Sequence, residues 1–184
     1  MEIKIGSKEM LTILHIFAWI IFIGVCIEAG GIIFNTFFAM VINPIGAKNF
    51  WMKIDLSNLM SYDKGYFLVI TVIMSIVAFM KALMFYLIVK LFHKKAFDFT
   101  HPFNSTLKQF ISNLAYLTFG IGLFSIWGLK YAAWLRLSNV YVPSVEDLRL
   151  GGADVWLFMS VILFVIAQIV KRGIDIQTEN DLTV

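Results

Sequence analysis

Residues 66–93, YFLVITVIMSIVAFMKALMFYLIVKLFH, are apolar almost from end to end, with Lys81 near the middle. As an α-helix this stretch would be about 42 Å long, against a hydrocarbon core of about 30 Å. It therefore reads as a transmembrane span, and Lys81 as an intramembrane charge. A lysine at that depth is costly and persists where something pairs or solvates it.

The rest of the chain has the same character. Of 184 residues, 60% are hydrophobic and 15% charged, where a soluble domain has about 45–50% and about 25%. The apolar excess is gathered into runs, and the mean hydropathy is +0.83. The spans expected from these runs are about 11–36, 66–93, 107–134 and 153–170, in one integral membrane domain covering 1–184. The fold class is all-α, a polytopic four-transmembrane-helix bundle. Residues 43–65, NPIGAKNFWMKIDLSNLMSYDKG, and 138–152, SNVYVPSVEDLRLGG, read as loops. Asn104 or Ser105 is placed to cap the third span, and Asp154 to complement the dipole of the fourth. Lys171-Arg172 ends the membrane segment and 171–184 is the tail.

Four spans put both termini on one side. Lysines and arginines hug the span ends on that side, so both termini are expected in the cytoplasm. The segment DLSNLMSYDKGYFLVI resembles VEDLRLGGADVWLFMS. This echo points to two helical hairpins in parallel orientation, unless outer loop-to-span junctions simply look alike.

In the first span, Gly24, Glu28, Gly31 and Asn35 are spaced to share one helix face. In the second, Thr71, Ser75, Ala78 and Ala82 do the same, with Lys81 at the edge. Small and polar residues on one face belong inside a bundle, so these stripes are expected to meet. Glu28 and Lys81 then fall within about one helical turn in depth, which makes Glu28 the first candidate partner. The candidate intramembrane polar site is Glu28, Lys81 and Asn35. A register-setting ion pair and a ligand or ion site would both look like this.

Other chemistry is missing. His15, His93 and His101 have no metal-binding spacing, no glycine-rich loop follows a strand, and the lone Cys26 has no second thiol. No nucleophile has a base at a catalytic spacing, so neither an enzyme nor a cofactor is expected. The net charge of +3 is too small and scattered to suggest direct nucleic-acid binding.

Two segments carry a family resemblance. One is Pro102-Phe103 followed by the start of the third span. The other is Lys171-Arg172-Gly173 followed by Gln177-Thr178-Glu179-Asn180-Asp181-Leu182-Thr183-Val184. With the spacing of the spans, they resemble the uncharacterised bacterial four-span membrane proteins of domain-of-unknown-function family 2975. Glu28 and Lys81 are not part of that pattern. The resemblance implies a bacterial plasma (inner) membrane protein without established activity, of a kind commonly encoded beside a small helix-turn-helix transcriptional regulator. The expected function is a non-enzymatic regulatory or sensing partner of that regulator. Gln177, Glu179, Asn180 and Asp181 are the candidate partner-binding tail. The alternative is a small transporter or ligand-binding bundle using Glu28 and Lys81.

Overall fold

The computed structural model describes residues 7–52, 54–93 and 103–181. Its elements run α1 (Ser7–Phe37), a π-helical turn (Phe38–Ile42), a 3-10 helix (Pro44–Asn49), α2 (Ser57–Tyr62), α3 (Lys64–His93), α4 (Ser105–Leu137) and α5 (Ala153–Asp181). Four segments are long and apolar enough to cross a membrane: Glu9–Ile42, Lys64–Phe92, Ser105–Leu137 and Ala153–Glu179. The chain is a multi-pass, all-helical membrane protein, a four-helix bundle.

Local chemistry sets the breaks. Asn43 leaves helical geometry and its side chain accepts from the Ile45 N–H, with Pro44 at the first position of the 3-10 helix. Asn104 caps α4 by accepting from the Leu107 N–H. The fourth span differs from the expectation that it ends at Val170 and gives way to a tail. The helix α5 runs on through Lys171 and Arg172 to Asp181. Nothing in KRGIDIQTEND beyond Gly173 disfavours a helix, and a single interior glycine costs only about 1 kcal/mol.

The spans pack in sequence order: α1 against α3, α3 against α4, and α4 against α5 most extensively. The first and last spans share no comparable interface, so a seam runs between α1 and α5. Ring pairs set the register. His15 stacks on Phe92 and Phe22 meets Tyr86, which brings Glu28 level with Met80–Lys81. Tyr116 meets Phe164 across α4 and α5. At the loop-side end, Tyr66 contacts both Tyr131 and Trp134, an aromatic belt of the kind found at membrane interfaces.

Most of the largest fully buried side chains sit towards that end. Phe50, Leu56 and Leu59 come from the first loop, Leu148 and Leu150 from the second, beside Phe67 and Leu135. By contrast α1 leaves most of its apolar surface outward. The two halves obey one rule. Lipid tails solvate an apolar helix face as well as another helix does, whereas irregular backbone must be satisfied within the protein. Accordingly the Leu56 N–H donates to the Ala47 carbonyl at 2.8 Å, and the Phe50 N–H to Ile54 at 3.0 Å. The loop read from sequence as a plain connector is a packed cap.

The second loop goes deeper. Leaving α4 at Leu137, it is latched by Arg136, whose guanidinium donates to the Val142 and Pro143 carbonyls. It then descends until Leu150 lies against Gly128, where an added Cβ would be 2.5 Å from the Leu150 side chain. Gly128 is about 13 Å below the end of α4, at about 1.5 Å per residue. The segment is re-entrant, and α5 starts well inside the bundle.

Candidate functional site

The re-entrant loop brings a third charge to the two expected from sequence. Arg149 has φ +59°, a left-handed backbone at the foot of the descent, just before Gly152 at φ +75° and the start of α5. From there its Nε lies 3.7 Å from Glu28 Oε1 on α1, and its terminal nitrogen lies 3.1 Å from the Met52 sulfur in the first loop. Lys81 on α3 donates from Nζ to the Arg149 main-chain carbonyl at 3.2 Å. The same ammonium is 5.8 Å from the centre of the Trp156 ring on α5, within cation–π range. Three spans and both loops meet here.

Glu28 and Lys81 share a depth, as the sequence stripes suggest, but they form no direct ion pair. Arg149 takes the carboxylate, and Lys81 is held by the carbonyl of that same residue. Sequence spacing alone had no means of placing Arg149, since a loop residue has no helical register to read. Its one signal was the turn chemistry of RLGG, compatible with a tight left-handed backbone before α5.

The face of α1 also differs from the expected one. Gly24 has nothing within 4 Å of an added Cβ, so no neighbouring backbone approaches it closely. The buried line on α1 is Ala18, Ala29 and Ile32, one residue round from the glycine–glutamate stripe. That offset, about 100°, turns Glu28 to the edge of the packed face. Gly31 is used, but by the first loop: a Cβ there would come within 2.0 Å of the Trp51 ring. Asn35 donates from Nδ2 to the Gly31 carbonyl one turn back at 2.8 Å; it stands on the same stripe as Glu28 but is satisfied within its own helix. On α3 the expected stripe does face inward, with Thr71, Ala78 and Ala82 buried. Thr71 and Ser75 return their hydroxyls to α3 carbonyls at 2.9 and 2.7 Å.

The cluster holds two cations and one carboxylate. The Arg149 side chain is 44% exposed and Glu28 30%, on the seam that α1 and α5 leave open. The arrangement offers a guanidinium, an ammonium with one acceptor among the described residues, and an aromatic face beside them. No group of three or more His, Cys, Asp or Glu suited to a metal ion occurs among the described residues.

At the other end of the molecule, the two segments behind the family resemblance come together. A Cβ on Gly173 would lie 2.7 Å from the Phe103 ring, so the residue just ahead of the α4 cap packs directly on α5. Beyond this contact Gln177 is half-buried and Glu179 exposed on the last turns of α5. The side chains of Asn180 and Asp181, and all of Pro102 and 182–184, lie outside the described residues. No protein-family model matches the chain, and neither a curated protein nor a solved structure matches it.

Proposed function

We propose that the chain is a non-enzymatic membrane sensor that binds a small organic anion at the Glu28–Arg149–Lys81 cluster. The observation that carries this reading is the re-entrant loop. Fifteen residues leave α4 and descend to set Arg149 beside Glu28 and its carbonyl under Lys81. A register-setting pair between two spans would need no such loop. With two cations against one carboxylate the site has a net positive charge, and an anion with an apolar body matches both it and the Trp156 face. Lys81→Met and Arg149→Gln, compared with the intact protein, test it by thermal stability across a panel of carboxylates and phosphate esters. A stabilising anion whose effect is lost in both variants supports the reading; equal shifts in all three proteins, or none in any, overturn it.

A second reading concerns the output, and rests on the unbroken extension of α5. About 10 Å of helix continues past the level at which α4 begins, and carries Gln177 and Glu179. In the proposal this end lies in the cytoplasm of a bacterial cell, with both termini on the cytoplasmic side of the plasma membrane. It docks a small helix-turn-helix transcriptional regulator, as the resemblance to domain-of-unknown-function family 2975 implies. Acidic Asp175 and Glu179 suit a basic regulator surface. Co-purification of the regulator encoded beside the gene, with intact protein and with protein ending at Gly173, checks this. Equal recovery from both removes the extension from the mechanism.

A further inference from the structure

A second polar feature lies on the opposite flank, in the groove between α3 and α4 towards the termini. Two adjoining clefts occupy it, of about 130 and 330 Å³, and both are lined by Leu87 and Asn113. The chemistry changes along the groove. Nearest the ends of the helices are Lys90, Thr106 and Gln109. Deeper in, beyond Asn113, the walls are Leu83, Tyr86 and Leu117.

Depth gives this gradient meaning. Lys90 is about 5 Å from the end of α3, and Asn113 about 12 Å inside α4, at about 1.5 Å per residue. The headgroup layer is about 5–8 Å thick on each side of the bilayer. Lys90 therefore stands in that layer, its ammonium 5.7 Å from the centre of the Tyr86 ring, and Asn113 stands just inside the hydrocarbon boundary. Asn113 is exposed, and among the described residues its amide has no hydrogen-bond partner; nor has Gln109. An amide left unpaired among acyl chains costs several kcal/mol. An anionic phospholipid presents what each level lacks: at Lys90 and Gln109 a phosphate whose charge is not offset by a headgroup cation, ester carbonyls at the depth of Asn113, and an acyl chain along Leu83 and Leu117.

We propose that the α3–α4 groove is a binding site for one anionic phospholipid of the termini-side leaflet. The match is charge to charge at the mouth, acceptor to donor in the middle and apolar to apolar below. It is independent of the Glu28–Arg149–Lys81 cluster.

The test is thermal unfolding of the full chain in neutral detergent. Added probes are phosphatidylglycerol, phosphatidylcholine with matching chains, or inorganic phosphate. Phosphatidylglycerol is expected to raise the midpoint saturably, and phosphatidylcholine and phosphate to leave it unchanged. In Lys90→Gln/Asn113→Leu the half-saturating concentration of phosphatidylglycerol rises at least tenfold. Asn113→Leu alone, which only removes an unpaired amide, folds as the parent does and shows a smaller loss. Equal shifts from the two lipids, a full response to phosphate alone, or an undiminished response in the double variant overturns the assignment. So does Asn113→Leu converting an oligomer to monomer with its lipid response intact, since a second copy would then fill the groove.

Discussion

Replacing Arg149 by glutamine removes the charge while keeping a side chain, so the strained backbone at φ +59° is no better relieved than before. The Lys81 hydrogen bond survives, because its acceptor is the main-chain carbonyl of residue 149. What is lost is the attraction to Glu28 across 3.7 Å, together with the guanidinium contact on the Met52 sulfur. Two unit charges at that distance attract by about 4.5 kcal/mol at an effective dielectric of about 20, and by about 1 kcal/mol in water. Breaking a wholly buried pair costs about 3–5 kcal/mol, and a fully exposed one about 0–1 kcal/mol. With side chains 44% and 30% exposed, this pair lies between, and Arg149→Gln should destabilise by about 1–3 kcal/mol. The double-mutant cycle with Glu28→Gln isolates the pair, with an expected coupling of about 1–2 kcal/mol. Reversible unfolding in mixed micelles supplies the four free energies. A coupling indistinguishable from zero would show that the Glu28–Arg149 pair does not hold the loop and would refute the charge argument.

Three further outcomes follow from packing and capping. Gly31→Ala drives a methyl into the Trp51 ring and should cost about 1–3 kcal/mol; Gly24→Ala, with open space around it, should be neutral or stabilising through helix propensity. Measured side by side, equal effects would contradict the offset between the glycine stripe and the packed face of α1. Gly173→Val meets the Phe103 ring and should loosen the termini-side end, seen as faster amide exchange in α5 beyond Val170; an unchanged exchange pattern counts against that contact. Asp55, outside the spans, accepts from the Ser57 hydroxyl at 2.6 Å and from the Ser57 N–H at 2.8 Å. These bonds, the hydroxyl's first, hold its carboxyl below the usual range. A depressed folded-state value means its contribution is complete above the unfolded value of about 4 and fades as pH falls through the folded one. Asp55→Asn should therefore cost a little stability at neutral pH, under about 1 kcal/mol, and flatten the acid limb. An acid limb identical to the parent's would discard the Asp55 contribution.

The four spans were legible in the chain because crossing a bilayer is a one-dimensional requirement. About 20 apolar residues in a row satisfy it whatever the neighbours do. Leu11–Thr36, Tyr66–His93, Leu107–Trp134 and Ala153–Val170 all fall inside observed helices, and Lys81 announced itself by its cost. The cap of α4 at Asn104 was legible for a similar reason, since a cap is a contact between residues three apart. Depth was readable too: rise per residue brought Glu28 and Lys81 within a turn, and the ring pairs place them level.

Only the tertiary structure decided which faces meet. Lipid removes the usual signal, because an outward face and a packed face are both apolar, and so a stripe one residue away from the buried line of α1 looked like the interface. The partner of Glu28 was beyond sequence reasoning for a different cause. Arg149 lies 121 positions away, in a loop whose descent depends on Leu150 finding the space above Gly128. The end of α5 was hidden because a basic pair marks where a helix leaves the membrane, and nothing about leaving the membrane requires the helix to stop. Hydrophobicity along the chain determined how many times it crosses; side-chain shape and the fit of one loop against one glycine determined which charges meet inside.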